Sequence, residues 1–289
     1  MAEMRRMVFA LLRIAVAVVV VAVTLLVVFQ GKLVWVPSGA PEVTPSLLKI
    51  PFRDVTLTTR DGVALHAWLL PAEEPRGLLV FCHGNGGSIG DRIDDGAELR
   101  RLGLMTLLFD YRGYGGNGGS LSEEGTYLDA EAAYDFLAAL PAEGGAAPAK
   151  PLPILAFGES LGGAIAIELA RRRPIAGLVT ESTFTSIADM GAELYPFLPV
   201  RWLLRIRYAS VDKVADVKCP WLMLHSRADD IVPYAHGERL LAAATAATQA
   251  AGRSPPRFAE LRGGHNEGGF LVSPDGKAAL ASFFDSVLR

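Results

Sequence analysis

The sequence predicts a mostly parallel, doubly wound α/β sheet of about eight strands, because three observations agree. Short apolar runs alternate with longer helical patterns along most of the 289-residue chain. Polar, glycine-rich motifs follow directly after several of these runs, which places them at strand ends, where such sheets bind ligands. Two alternating runs around a short turn come first and predict an opening antiparallel hairpin.

A long apolar segment precedes this domain. Residues 14–29 carry no charge, and apolar neighbours extend the run to the ~20 residues of a spanning helix if Arg13 and Lys32 reach towards the lipid surface. Three arginines lie before the run. We therefore expect residues 1–36 to form an uncleaved, single-pass membrane anchor, with the N-terminus cytoplasmic and the rest of the chain on the extracytoplasmic (periplasmic or extracellular) side.

The alternative for this segment is a cleaved signal peptide. The nearest small-x-small pattern, at residues 38–40, would leave Pro41 directly after the cut, which is unfavourable. Prolines recur through residues 37–51 and predict an extended linker between the anchor and a domain at residues 52–289.

Composition argues against some functions. Lys and Arg total 28 and Asp and Glu total 31, interspersed to a net charge of −3, so nothing suggests a nucleic-acid partner. The two cysteines, Cys82 and Cys219, lie in or beside apolar runs and are expected to be small buried hydrophobic residues. They make no disulfide framework and do not decide the cellular compartment.

The elements of the domain follow in order along the chain. Residues 54–59 and 63–69 alternate in polarity around an Arg-Asp-Gly turn, and His66 is expected to be a strand residue rather than a catalytic one. Further strands are predicted at residues 77–82, 104–109, 152–157, 175–180, 220–225 and 257–261. Helices are predicted at residues 91–102, 126–140, 163–170, 234–250 and 274–288, with a loop rich in Gly, Ala and Pro at 141–151.

The pattern Gly-x-Ser-x-Gly occupies residues 158–162, between the strand at 152–157 and the helix at 163–170. This context is that of a nucleophile elbow, in which a sharp, strained turn exposes the serine hydroxyl above the sheet edge. The flanking glycines let the helix and the strand approach each other without Cβ clashes. Ser160 is therefore the predicted nucleophile.

A serine nucleophile in this topology needs an acid and then a histidine after it in the chain. Asp229 and Asp230 both follow the strand at 220–225, and a salt bridge to Arg227 is the structural alternative for either carboxylate. Glu181, after the preceding strand, is a weaker rival. These residues alone leave the choice between the two aspartates open.

The base and the oxyanion donors come from other strand ends. Of five histidines, only His265 lies after the acid and between the last strand and the final helix, in a glycine-rich loop. The backbone N–H of Leu161, directly after the nucleophile, is one predicted oxyanion donor, and that of Asn85 is the other. His83 precedes the nucleophile and is expected to stabilise its loop.

One segment is irregular. About 35 residues separate the strands at 175–180 and 220–225, more than a crossover helix needs, which predicts a small helical cap at about residues 185–218. The cap contains Tyr195, Phe197 and Trp202. These side chains either line an acyl pocket as substrate-binding residues or pack the cap onto the domain, and the sequence leaves both interpretations open.

Six motifs occur together at strand ends. They are residues 83–87 (HGNGG), 110–115 (DYRGYG), 158–163 (GESLGG), 181–184 (ESTF), 225–233 (HSRADDIVP) and 264–266 (GHN). Together they resemble the α/β-hydrolase superfamily, and most of all its membrane-anchored "α/β-hydrolase domain-containing" branch, which is related to serine-aminopeptidase-type hydrolases and palmitoyl-protein thioesterases. The resemblance covers about residue 55 to the C-terminus.

The resemblance implies a site and a reaction. In this superfamily the acid is the aspartate of H-G-x-x-D, which corresponds to Asp229, although Ser226 stands where the family usually has glycine. The resemblance therefore implies an α/β-hydrolase fold with a triad of Ser160, Asp229 and His265. It also implies hydrolysis of a carboxylic ester or thioester, acyl or lipid-like, through an acyl-enzyme and without a metal or cofactor.

Two other functions are alternatives. A serine peptidase of the aminopeptidase kind would need an acidic pocket for the substrate amine, whereas the predicted cap is basic, with Arg201, Arg205 and Arg207. A non-catalytic binding protein on a hydrolase scaffold would usually lack a triad residue, and all three are present here.

Overall fold

The computed structural model describes residues 1–140 and 151–288, so most of the loop predicted at 141–151 lies outside the described residues. The strands are β1 (Val36–Pro37), β2 (Arg53–Thr58), β3 (Ala64–Leu70), β4 (Gly77–Cys82), β5 (Gly86–Gly87), β6 (Leu104–Phe109), β7 (Ile154–Glu159), β8 (Gly177–Glu181), β9 (Trp221–Ser226) and β10 (Arg257–Leu261). The α-helices are α1 (Ala2–Val34), α2 (Ile93–Arg101), α3 (Glu123–Ala138), α4 (Leu161–Arg172), α5 (Ile187–Leu194), α6 (Val200–Leu203), α7 (Tyr234–Ala250) and α8 (Pro274–Val287).

Eight of the described strands form one sheet, in the order β10-β9-β8-β7-β4-β6-β3-β2. β3 runs antiparallel to both of its neighbours, β2 and β6, and the other adjacent strands are parallel. The predicted mostly parallel, doubly wound sheet that opens with a hairpin is confirmed.

Both faces of the central strands are buried, which explains why these strands are continuous apolar runs. In β4, Leu78 and Val80 belong to the apolar cluster that includes α3 and α4. Leu79 and Phe81, which alternate with them, belong to the cluster that includes α2 and α8. Helices on both faces therefore hold the strands in one plane and leave their carboxyl ends free to carry the loops.

The register of the parallel strands brings the polar motifs together. Cys82, the last residue of β4, pairs with Gly158 of β7. Glu159, the last residue of β7, pairs with Glu181 of β8. The loop at residues 83–87, Ser160 and the segment after β8 thus begin at the same edge of the sheet.

Some helices and strands begin or end at residues other than those predicted, because a side-chain cap or a strained turn at a single residue sets the boundary. β7 continues through Glu159 and α4 begins at Leu161, so the elbow occupies a single residue. α3 begins at Glu123 rather than residue 126, since the Ser122 side chain accepts a hydrogen bond from Gly125 N at 3.0 Å and caps the helix.

A small helical segment lies between β8 and β9, where the cap was predicted. It consists of α5, α6 and a 3-10 turn at Val211–Asp216. Its first helix begins at a side-chain cap, because Ser186 accepts a hydrogen bond from Asp189 N at 2.9 Å.

The segment after α1 is held against the domain, which differs from the extended linker expected at residues 37–51. β1 pairs in parallel with β5. Trp35 is 7% exposed, and its Nε1 donates a hydrogen bond to the Tyr208 hydroxyl at 3.1 Å. Ser38 O accepts a hydrogen bond from Gly115 N at 3.2 Å. The end of α1 is therefore packed beside the loop at residues 83–87.

Candidate active site

Ser160 occupies a strained turn between β7 and α4. Its φ of 52° and ψ of −114° are unusual for a residue with a side chain. A Cβ at Gly158 would collide with the Gly162 carbonyl, and one at Gly162 would collide with the Cys82 carbonyl. Both motif glycines are therefore required by close backbone approach, and the tight turn presents the serine hydroxyl at the sheet edge.

Ser160, His265 and Asp229 form a continuous hydrogen-bonded chain. His265 Nε2 lies 3.1 Å from Ser160 Oγ, and His265 Nδ1 lies 2.9 Å from both Oδ1 and Oδ2 of Asp229. A carboxylate only accepts hydrogen bonds, so Nδ1 carries the proton and donates a hydrogen bond to Asp229. Nε2 then presents its lone pair to the serine hydroxyl, as a general base must.

Asp229 is held in its charged form. Burial alone would raise the pKa of this carboxyl, but the hydrogen bond and charge of His265, with backbone N–H groups, lower the pKa below its ordinary value. The backbone donors are Ile231 N at 3.1 Å and Val232 N at 2.8 Å, both to Oδ1. The residue is thus oriented from two sides.

The two rival acids have different contacts. Asp230 Oδ1 accepts a hydrogen bond from the backbone N of His265 at 2.9 Å, so it contacts the loop rather than the ring. Glu181 Oε2 accepts from Phe270 N at 3.3 Å, and burial, followed by the nearby carboxylate of Glu159, raises its pKa well above the ordinary value. The ring of His265 is oriented by Asp229.

The two residues predicted as oxyanion donors border the same cavity as Ser160. Leu161 is the first residue of α4, and Asn85 borders the same cavity as Ser160. The side chain of Asn85 is engaged elsewhere: Nδ2 donates to Val34 O at 2.6 Å, and Oδ1 accepts from Val36 N at 3.1 Å. Asn85 therefore joins the active-site loop to the end of α1, a contact that sequence reasoning missed.

The other histidines have structural contacts. His83 is buried and its Nδ1 donates to Gly84 O at 2.7 Å; burial, then the charge of Arg92, lowers its pKa to about 3, so it is neutral. His66 lies in β3 and contacts Asp54 at 2.8 Å, and His225 Nε2 donates to Val232 O at 2.9 Å. Across residues 1–140 and 151–288, no group of three or more His, Cys, Asp or Glu side chains is placed to hold a metal ion.

A cavity of about 750 Å³ is bordered by Ser160 and His265. The rest of its lining comes from loops at the strand ends, from the cap and from the end of α1. The cap residues are Ile187, Met190, Gly191, Leu194, Tyr195, Leu198, Val200 and Leu204. The cavity is thus polar at the sheet edge and apolar elsewhere, as sites for small amphiphilic molecules generally are.

Only one of the three predicted substrate-binding residues borders this cavity. Tyr195 does, whereas Phe197 and Trp202 lie away from it and are 79% and 92% exposed. The helix α6 has a single turn whose Val200 is 5% exposed. Trp202, two residues later, therefore points outwards. The assignment of Phe197 and Trp202 to the cavity is corrected.

Comparison with known proteins decides the family. The chain is 41% identical over 254 residues to an uncharacterised protein of Mycobacterium tuberculosis, covering 87% of this chain and 84% of that protein. It is 35% identical over 252 residues to the alpha/beta hydrolase domain-containing protein WAV2 of Arabidopsis thaliana, covering 79% and 80% of the two chains. The chain belongs to the α/β-hydrolase family.

Other likenesses agree with this assignment. The family model described as serine aminopeptidase, S33, matches residues 73–211 of this α/β-hydrolase. The matched range includes Ser160 and ends before Asp229 and His265. The esterase Pf2001 of Pyrococcus furiosus superposes with a TM-score of 0.69 at 20% identity, covering 88% of this chain and 98% of that one. At this identity the likeness shows the shared hydrolase fold.

The end of α1 contributes to the cavity of this α/β-hydrolase. Leu26, Gln30, Leu33 and Val34 all border it, at a spacing that places them on one face of the helix. Gln30 is 5% exposed, and its Oε1 accepts hydrogen bonds from the backbone N of Arg205 at 2.7 Å and of Ile206 at 3.1 Å. A polar side chain at the end of an apolar run was the signal that could have indicated this docking.

Within the described residues, α1 is long and apolar enough to cross a membrane. Its length and composition fit both a membrane anchor and a signal sequence. Unlike the domain helices, it leaves most of its apolar side chains exposed, among them Val18, Val19 and Val28.

Proposed function

We propose that this protein is a serine hydrolase that cleaves carboxylic esters or thioesters of acyl or lipid-like molecules through an acyl-enzyme. The observation that carries the proposal is a chain of three hydrogen-bonded side chains. Ser160 Oγ lies 3.1 Å from His265 Nε2, and His265 Nδ1 lies 2.9 Å from Asp229. Ser160 and His265 border one cavity. The esterase fold of the solved relatives supports the same reaction class.

The first half of the reaction forms the acyl-enzyme. Ser160 Oγ attacks the substrate carbonyl carbon while its proton passes to His265 Nε2, and the charged Asp229 stabilises the resulting imidazolium. The carbonyl oxygen becomes an oxyanion that accepts hydrogen bonds from the backbone N–H groups of Leu161 and Asn85. When the tetrahedral intermediate collapses, the bond to the leaving group breaks and His265 Nε2 protonates the departing alcohol or thiol.

The second half releases the acyl group. A water molecule gives a proton to His265 Nε2 and attacks the acyl carbonyl, again forming an oxyanion at the same two N–H groups. Collapse breaks the bond to Ser160 Oγ, which recovers the proton from His265. The products are a carboxylic acid and the alcohol or thiol, and the chain returns to its starting state.

The carboxylates on the cavity lining favour this reaction over aminopeptidase activity. Glu159 is paired with Arg92, whose Nε lies 2.7 Å from Oε2. Asp91 Oδ2 accepts a hydrogen bond from Ser88 N at 2.8 Å and caps a 3-10 turn. Glu159 is therefore neutralised by Arg92, and Asp91 is committed to its turn, which disfavours either acid as the partner of a substrate amine.

Fluorophosphonate labelling tests the proposal, since this reagent reacts with activated serines. We expect the wild-type protein to be labelled, Ser160→Ala to lose the label, and the matched variant Ser120→Ala, at an exposed serine of a loop, to keep it. A protein that hydrolyses no acyl ester and is not labelled, or a Ser160→Ala variant that is still labelled, would contradict the proposal.

We also propose that α1 is retained as a membrane anchor, with the N-terminus in the cytoplasm and the hydrolase domain outside it. Its end is tied to the domain by Gln30, Trp35 and the contacts of Asn85, which a cleaved signal peptide would lose. Arginines before the span support the orientation. The protein should resist carbonate extraction, and a C-terminal reporter that is active only in the cytoplasm should stay inactive.

A further inference from the structure

We infer that the cavity receives its substrate from a lipid bilayer, with α1 itself as part of the acyl-binding surface. This inference rests on the proposed function and names its substrate class: a long-chain ester or thioester whose acyl chain already lies in the membrane. The chain enters between the end of α1 and the cap, and its carbonyl reaches Ser160.

Leu26 lies far enough along α1 from Lys32 to place part of the cavity at the level of the acyl chains. Eighteen uncharged residues separate Arg13 from Lys32, which is about 27 Å of helix at 1.5 Å per residue and close to the ~30 Å of a hydrocarbon core. A span of this length leaves no slack, so Lys32 marks one membrane surface. Leu26 lies six residues before Lys32, about 9 Å deeper. Since Leu26 borders the cavity, the cavity extends to the level of the acyl chains.

One face of α1 packs against the domain, and its other faces are exposed. Val23, Leu26 and Val27 are half-buried, and Gln30, one turn after Leu26, is buried. These positions follow helical spacing and mark a docked stripe. Leu25 and Val28, on other faces, are 51% and 66% exposed and would contact lipid in a membrane. One helix thus contacts both the bilayer and the cavity.

Part of the apolar lining of the cavity is exposed at the surface of the protein. Leu33, Leu194 and Tyr195 border the cavity and are 70%, 65% and 52% exposed. Exposure of these apolar side chains to water is unfavourable, and contact with lipid at the membrane surface would relieve it. Phe197 and Trp202, exposed on the same cap, are aromatic residues of the kind that lie at membrane surfaces.

The experiment uses the full chain reconstituted in phosphatidylcholine vesicles. Two ester substrates are compared, p-nitrophenyl palmitate dissolved in the bilayer and water-soluble p-nitrophenyl acetate. Leu26→Trp places a large side chain on the docked stripe, and Leu25→Trp places the same side chain on a lipid-facing position as the matched control.

We expect Leu26→Trp to lower the ratio of palmitate to acetate hydrolysis at least tenfold, and Leu25→Trp to leave that ratio within twofold of wild type. Fluorophosphonate labelling of each variant verifies that the serine is intact. Equal ratios for the two variants, or wild-type protein that hydrolyses acetate but not palmitate, would overturn the inference alone. Wild-type protein that hydrolyses neither ester and is not labelled would overturn the proposed function as well.

Discussion

The sheet edge and the apolar lining of the cavity are built in different ways. At the edge, Ser160, Asp229 and His265 are positioned by strand ends and backbone hydrogen bonds, and the first two are each 9% exposed. In the apolar lining, short cap helices and the end of α1 supply side chains such as Leu33 and Leu194, which stay largely exposed. The sheet topology positions the three polar side chains, while the cap helices and the end of α1 form the apolar part of the cavity lining.

The largest expected effect is the loss of activity when a side chain at the sheet edge is removed. Ser160→Ala and His265→Ala should each lower kcat for a soluble acetyl ester by about 10⁴–10⁶, because the residues act as a unit. His66→Ala, at a strand position away from the cavity, is the matched control and should keep near wild-type activity. Circular dichroism should show an unchanged fold in all three. Activity within tenfold of wild type in the Ser160 or His265 variant would mean that the sheet edge is not the reacting region.

The next effect distinguishes the two adjacent aspartates. Asp229→Asn should lower kcat by about 10⁴, because an amide no longer selects the productive tautomer of His265. Asp230→Asn should lower it by roughly tenfold at most, since Asp230 contacts only the backbone N of that histidine. Steady-state kinetics on one ester measures both. Equal losses, or a greater loss for Asp230→Asn, would show that the acid has been assigned wrongly.

Glu168 links α4 to the cap. It lies on α4, contacts Arg171 and Arg172, and reaches Lys213 Nζ in the cap at 3.0 Å. Burial raises the pKa of Glu168, but these partners outweigh burial and lower it to about 2. A lowered pKa contributes stability that is present above the unfolded value of about 4.5 and is lost as the pH falls towards 2.

Glu168→Gln should therefore lower the free energy of unfolding by up to about 3 kcal/mol at neutral pH, and the difference from wild type should shrink in acid. Urea denaturation at about pH 7 and about pH 3 measures both values. Glu260→Gln, which breaks an exposed pair with Arg227, should have a much smaller effect at both pH values, because solvent screens that pair. A difference for Glu168→Gln that does not shrink as the pH falls would show that its stabilising effect does not depend on the charge of Glu168.

The smallest expected effect lies within the cap. Tyr195→Ala should lower kcat/KM for an octanoyl ester roughly tenfold relative to an acetyl ester, through lost contacts of about 0.8 kcal/mol per methylene. Trp202→Ala, in detergent solution, should leave the ratio unchanged because Trp202 lies away from the cavity. The opposite ranking would mean that the cap takes up another arrangement around substrate.

The sheet and the strained turn at Ser160 were predictable because each depends on short stretches of chain. The strand, the glycine turn and the helix that indicate Ser160 all lie within about 20 consecutive residues. The outward direction of Trp202 was not predictable, since it depends on the one-turn length of α6. Gln30 in the apolar run could have indicated that α1 docks, but its partner was not predictable, because Gln30 and Arg205 are 175 residues apart and no local pattern connects them.

The large separation in sequence between α1 and its partners in the cap affects when their contacts form during synthesis. At synthesis rates of roughly 5–20 residues per second, about 10–35 s pass between the emergence of Trp35 and that of its partner Tyr208, 173 residues later. For the membrane anchor proposed above, this interval lets α1 insert while the hydrolase domain is still being made. The hydrogen bond between Trp35 and Tyr208 then forms after insertion, on an anchor that is already in place.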